Sequence, residues 1–146
     1  MDQQREFDVV LFGATGFTGK LVAEYLCKTY GVAGELKWAL AGRNQAKLEA
    51  VRTDLLGAGE TSVALIVVES LDQAAMNAMA ARTAVVCTTV GPYALYGTPL
   101  VAACVAHGTH YCDLTGEVQW MHRVINEYQT PAEASGARIV HTCGFD

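Results

Sequence analysis

Six short strand-prone runs punctuate the chain at regular intervals: Phe7 to Phe12, Leu36 to Ala41, Val63 to Val68, Ala84 to Thr88, Tyr111 to Leu114 and Arg138 to Thr142. Between them, apolar residues recur every three or four positions, the period of a helix with one buried face. This alternation is the strongest constraint in the sequence. A helix between two strands carries the chain back to the sheet end where it began, so consecutive strands must run parallel. The run Leu36 to Ala41 supports this, being apolar on both faces as a central parallel strand requires.

The intervening segments carry their own boundary signals. The first helix begins near Gly16 or Phe17 and places Phe17, Leu21, Val22, Tyr25 and Leu26 on one apolar face. Asn44 caps a second helix, in which Leu48, Val51 and Leu55 recur before Gly57 ends it. Ser70 and Gln73 form a capping box ahead of a third, which is expected to bury Leu71, Ala75, Ala78 and Met79. Thr98 as cap and Pro99 at the first helical position open a fourth, with Leu100, Val101, Cys104 and Val105 inward and Gly108 as its stop. The fifth starts near Val118, turns Met121, Ile125 and Tyr128 inward, kinks or restarts at Pro131 and closes at Gly136. Six strands and five helices make two βαβαβ halves of similar length. The predicted fold is α/β, a doubly wound parallel sheet of the Rossmann type with strand order 3-2-1-4-5-6, forming one domain over residues 1–146.

Composition narrows the partners. The 146 residues are 51% hydrophobic and 17% charged with a net charge of -5, enough for one buried core and lacking the basic stripe that nucleic acid or an anionic membrane would need. No apolar run approaches the roughly 18 residues of a membrane span. The N-terminal MDQQREFD has neither the basic start nor the apolar middle of a signal peptide, which places the protein in the cytoplasm. Five cysteines are an odd number without CxxC spacing and sit mostly in apolar stretches, so buried reduced thiols are expected. His107 and His110 lie three residues apart with no third ligand nearby, and no metal is expected.

The first strand ends in GATGFTG, with Gly13, Gly16 and Gly19 spaced three apart. Spacing alone is a weak signal, but here it falls between a strand and a helix. There the turn is tight, the backbone must approach a pyrophosphate and the helix must pack close to the sheet. Unpaired amides of the first helical turn face the phosphates, and the Thr15 and Thr18 hydroxyls add donors. A mononucleotide P-loop is excluded because Lys20 is followed by Leu21 rather than Ser or Thr.

The end of the second strand identifies the dinucleotide. NAD sites place an acid there to accept from the ribose 2′-hydroxyl. Here it reads AGRN, with no Asp or Glu between Leu36 and Leu48. Arg43, Asn44 and, one turn on, Lys47 suit a 2′-phosphate, so NADP(H) is the expected cofactor. Across the strand-order reversal, Gly91 and Pro92 form a stiff, close-approaching turn, and Tyr93 or Tyr96 is placed either beside the nicotinamide or against the next helix. Asp113, Thr115 and Glu117 share that rim, Glu117 fitting a helix start better than a proton shuttle. No catalytic residue is assigned.

The combination of GATGFTG, AGRN, VGPYALYGTPLVAACVAHGTHYCDLTGE and HTCGFD resembles the N-terminal cofactor domain of the saccharopine dehydrogenase-like oxidoreductases, including their trans-acting enoyl reductase branch. The resemblance covers nearly the whole chain. It implies an NADP-dependent reductase in which Gly13, Thr15, Gly16, Phe17, Arg43 and Gly91 to Tyr93 touch the cofactor. It also implies a second domain, beyond Asp146, with much of the substrate site and the subunit contacts. The expected reaction is hydride delivery from NADPH to an imine or to the enoyl double bond of a lipid-like substrate. A cofactor half without that domain would self-associate through the surface left bare. The alternative is a non-catalytic NADP-binding redox sensor. A short-chain reductase is disfavoured because no tyrosine has a lysine four residues later.

Overall fold

In the computed structural model, which describes residues 4–144, the six runs form strands β1 (Phe7–Phe12), β2 (Trp38–Gly42), β3 (Ala64–Val67), β4 (Thr83–Thr88), β5 (His110–Asp113) and β6 (Ile139–Val140). The last two residues of the HTCGFD motif, Phe145 and Asp146, lie outside the described residues. The helices are α1 (Phe17–Tyr30), α2 (Gln45–Leu56), α3 (Gln73–Ala81), α4 (Tyr93–Tyr96), α5 (Thr98–His107) and α6 (Val118–Ser135). The strands form one sheet in the order β3-β2-β1-β4-β5-β6, all pairs parallel.

This order follows from the handedness of βαβ crossovers. From β1 the chain steps outward to β2 and β3, then returns past β1 and steps the other way through β4, β5 and β6. Right-handed connections therefore put α1 and α2 on one face and α3, α5 and α6 on the other. Two cores result. Leu11 and Leu40 pack with Ala23 and Leu26 of α1 and Leu48 and Val51 of α2. Val10, Val86 and Tyr111 pack with Met76 and Met79 of α3, Val101 of α5 and Val124 of α6 on the opposite face.

Local chemistry departs from the sequence expectation in several places. Helix α1 buries Gly19, Ala23 and Leu26, whereas Phe17, Leu21 and Tyr25 are 84%, 53% and 59% exposed. Its N-terminus lies so close to the sheet that only a glycine and small side chains fit beneath it, so the larger apolar residues turn outward. Helix α3 is capped by Asp72, whose carboxylate accepts from the Ala75 amide, rather than by Ser70. The later start leaves Leu71 outside the helix and exposed; Met79 is buried as expected, together with Met76 and Ala80, and Ala78 is exposed. Thr98 is the first residue of α5, not its cap, and its hydroxyl accepts from Trp120 Nε1. Helix α6 runs unbroken through Pro131, which is exposed, so its ring meets no neighbouring element. Trp120, Val124 and Ala132 are its buried residues, while Ile125 is half exposed.

One clamp comes from the polar N-terminal segment. The guanidinium of Arg5 donates to the carbonyls of Ala80 and Ala81 at the end of α3 and to the His107 carbonyl at the end of α5, at 3.0, 2.9 and 2.7 Å. These are carbonyls that a helix end leaves without intrahelical partners, and a cation there also complements both helix dipoles. Thr109, fully buried, completes the junction with a hydrogen bond from its hydroxyl to Ala80 O. Arg5→Ala is expected to lower the unfolding free energy in urea by about 2 kcal/mol, with Arg5→Lys recovering less than half because an ammonium cannot fork to both helix ends.

Candidate cofactor site

The three loop glycines are glycine for different reasons. At Gly19, a Cβ would lie 1.9 Å from the Gly13 carbonyl oxygen, so α1 can approach β1 only if that side chain is hydrogen. Gly13 has φ +95°, and its Cβ would meet Thr89 Oγ1 at 2.6 Å and Val90 Cγ2 at 2.9 Å. Both are therefore explained by the fold alone. Gly16 is not: its φ is -78°, it is exposed, and the nearest atom to an added Cβ is the Gly13 oxygen at 3.6 Å, an ordinary contact. It is also the N-cap of α1, where no side chain caps the helix. The first-turn amides of α1 are thus open to an anion, and the residue beside them has no side chain in the way.

The loop sits where strand order reverses. Gly13 N donates to Ala41 O of β2, and Thr89, just past β4, donates from its amide to Phe12 O and from its hydroxyl to Gly13 O. The glycine loop is therefore bounded by the end of β2 on one side and the start of the β4–α4 loop on the other. Thr15 is half-buried in this loop, and Phe17 and Thr18 are exposed at the helix start.

At the end of β2, Arg43 and Lys47 are exposed and form no ion pair among the described residues. Asn44 is committed to the protein's own backbone as the N-cap of α2, its Oδ1 accepting from Lys47 N at 3.0 Å. Only its amide nitrogen is left for a ligand. Gly42 is buried, with an added Cβ reaching Leu48 at 3.4 Å.

The loop after β4 also separates its predicted residues. Gly91 and Pro92 are exposed on the rim, and Gly91 resembles Gly16 in having room for a Cβ, its nearest neighbour being Tyr93 Cε2 at 3.5 Å. The Tyr93 side chain instead enters the core, where its ring lies 5.6 Å from that of Trp120 and its hydroxyl donates to Thr88 O at 3.0 Å. Burial pushes its pKa up to about 12. Any approach of a ligand to Tyr93 is thus to its backbone, and Tyr96, 36% exposed, is the more accessible of the two rings. Glu117 does more than start a helix. Its carboxylate accepts from the amides of Tyr93 and Ala94, at 2.6 and 3.1 Å, tying the turn after β5 to the start of α4.

Asp113 at the end of β5 closes the rim from below. Its buried carboxylate accepts from Tyr111 Oη at 2.6 Å, from His141 Nδ1 at 2.8 Å and from the amides of Thr115 and Thr142 at 3.1 Å. Burial pulls its pKa upward, but these donors outweigh it and hold the carboxyl below its usual range. The His141 ring lies 5.3 Å from Trp120, and its buried Nε2 has no partner among the described residues. Asp113 also holds the segment after β6, where Thr142 takes φ +62°, a left-handed conformation rare for a β-branched residue. His141 escapes a reading of the sequence because no spacing links it to Asp113, 28 residues earlier.

A parallel doubly wound sheet with an open helix start at its switch point defines a dinucleotide-binding domain. Residues 9–140 match the profile of the saccharopine dehydrogenase NADP binding domain, and the chain belongs to that family. Its cofactor is NADP. The chain is 50% identical over 143 residues to the trans-acting enoyl reductase of Mycobacterium leprae and 49% identical over 143 residues to that of Mycobacterium tuberculosis H37Rv. Each comparison covers 98% of this chain but 33% of the relative, so the chain spans about a third of those proteins' length. Among solved structures it resembles apo saccharopine dehydrogenase (L-Glu forming) from Saccharomyces cerevisiae, with a TM-score of 0.72 and 17% identity over 94% of this chain and 27% of that one. Citrobacter sp. triphenylmethane reductase complexed with NADP(H) has a TM-score of 0.65 and 16% identity, over 92% and 48% of the respective chains. At those identities the likeness is one of fold.

Two sets of variants check this geometry. Gly16→Ala is expected to keep the melting temperature within about 3 °C of the parent, while Gly19→Ala lowers it by more than about 10 °C or prevents folding. Asp113→Ala should cost roughly 3 kcal/mol at pH 7 in urea. Because the folded carboxyl titrates below its unfolded value of about 4, this difference is complete above that pH and shrinks as acid takes the solution through the lowered value.

Proposed function

We propose that this chain is the cofactor-holding part of an NADPH-dependent reductase whose substrate is an enoyl group on a lipid-like molecule. The observation that carries the cofactor site is the pair Gly16 and Gly91: both exposed, both with ordinary backbone angles or room for a side chain, and both in the loops that follow the adjacent strands β1 and β4. Neither glycine is required by its neighbours in the protein. A ligand lying against the backbone at both positions supplies the missing reason.

In this reading the pyrophosphate lies at the start of α1, held by its first-turn amides with the Thr15 and Thr18 hydroxyls beside them. Arg43, with Lys47 and the Asn44 amide group near it, takes the 2′-phosphate. Gly91 and Pro92 border the nicotinamide end. Bound NADPH supplies a hydride equivalent to the substrate, and the chain's own residues hold the cofactor and shape one wall of the reaction crevice. The enoyl substrate is preferred over an imine because the relatives near 50% identity are described as enoyl reductases, whereas the saccharopine dehydrogenase is only 17% identical. The substrate site is assigned to the chain that those relatives carry beyond the matched third.

Calorimetric titration tests the cofactor assignment. Arg43→Asp is expected to weaken NADPH binding by about 100-fold and to change NADH binding by less than about threefold. Equal losses for the two cofactors would sink the assignment of Arg43. For the reaction, the native-length protein should oxidise NADPH in the presence of an enoyl thioester and not with an imine, and the reverse preference would overturn the substrate class.

A further inference from the structure

Of the five free cysteines, Cys104 alone is fully buried; Cys27, Cys87 and Cys112 are half-buried and Cys143 is exposed. Cys104 is the buried reduced thiol that the sequence leads one to expect, and burial pushes its pKa well up. Cys87 and Cys112 are a different case. Strands β4 and β5 pair in parallel with these two residues directly opposite each other. Both side chains leave the sheet on the α1/α2 face, because Cys87 is also in register with Leu11 of the core on that side. Neighbouring strands lie about 4.8 Å apart, and a disulfide joins Cα atoms about 4.4 to 6.8 Å apart. The Cα spacing that a disulfide needs is thus built into the sheet.

The two thiols are also unequal. Cys87 is held below the usual thiol range, chiefly by a hydrogen bond from the Cys112 thiol, while burial and the charges of Cys143 and Asp113 oppose that pull. The same hydrogen bond, with burial, pushes Cys112 up. A sulfur that ionises more easily beside one that keeps its proton is the arrangement of an attacking and a resolving thiol. Elsewhere in the row their neighbours are Leu11 and Val140, which have no chemistry to offer. The third sulfur of the region is directed elsewhere. The Cys143 amide donates to Asp113 O at 2.6 Å, and its Sγ lies 3.9 Å from the carbonyl oxygens of Val140 and His141.

We propose that Cys87 and Cys112 are a dithiol site for peroxides, closing to a disulfide across β4 and β5. The Cys87 thiolate attacks one oxygen of a hydroperoxide and the O–O bond breaks. The departing oxygen takes the proton that Cys87 gave up and leaves as water or an alcohol, and Cys87 becomes a sulfenic acid. The Cys112 sulfur then attacks the Cys87 sulfur, so that an S–S bond forms as the S–O bond breaks, and the released hydroxide leaves as water with the Cys112 proton. The two thiols lose two electrons and two protons in all, and the peroxide is reduced. The site lies one residue before the ends of both strands and is independent of the cofactor and substrate readings.

Hydrogen peroxide added to the folded chain tests it. Remaining thiols are blocked with iodoacetamide, and the unreduced protein is cut with chymotrypsin, which cleaves at Tyr93 and Tyr96 between the two cysteines, for peptide mass spectrometry. A peptide pair joining Cys87 to Cys112, separated by dithiothreitol, is expected to form at least about 10-fold faster than Cys104 is oxidised. Cys112→Ser should abolish the link and leave a Cys87 sulfenic acid that dimedone captures, whereas Cys143→Ser should leave the link unchanged. Should Cys112→Ser unfold the chain, seen as iodoacetamide reaching Cys104 before any oxidation, the link in the parent and in Cys143→Ser carries the result. A link from Cys143 to either cysteine, a link between two copies of the chain, or oxidation of Cys87 no faster than that of Cys104 would overturn the proposal.

Discussion

Gly19 is pressed to the carbonyl of Gly13 where β1 hands the chain to α1. Everything on the α1 side of the sheet depends on that contact. It lets the helix settle onto Leu11 and Leu40 through Ala23 and Leu26, with its uncapped start just past the end of β1. It also forces the bulky residues of α1 outward, so the price of a close helix is an apolar stripe in water. The glycine loop is first a packing device, and the uncapped start of α1 beside it follows from how tightly it packs.

On the other side of the switch point, two carboxylates organise the rim. Glu117 fastens the turn after β5 to α4, and Asp113 fastens the end of β5 to the segment after β6. Three loops that are far apart in sequence are thereby held as one surface. Each carboxylate accepts from two backbone amides, so the rim is braced largely at main chain, with Tyr111 and His141 adding side-chain donors to Asp113.

The sheet and its order are legible in the sequence because apolar runs and their alternation are properties of the chain itself, and handedness leaves few ways to arrange them. The helix boundaries are legible only in part. Asn44 and Gly108 act as their residue types suggest, whereas Ser70 loses to Asp72 because competing caps two residues apart differ by contacts that no local pattern contains. The outward stripe of α1 defeats the pattern for a related reason. Periodicity finds an apolar face, but the sheet selects the face with the smallest residues when the approach is this close. The roles of Glu117, Arg5 and His141, and the packing of Tyr93 on Trp120, lie beyond reach because each depends on a partner more than 20 residues away in the chain.

Helix α1 and helix α4 both begin on the same rim, but they present opposite faces to an incoming charge. The start of α4 is already occupied by the Glu117 carboxylate, whereas the start of α1 has no capping side chain. An elongated ligand with phosphates at one end and a neutral ring at the other would meet bare amides on the β1 side of this rim and a carboxylate on the β4 side. That asymmetry would favour one direction across the sheet before any group on the molecule is recognised.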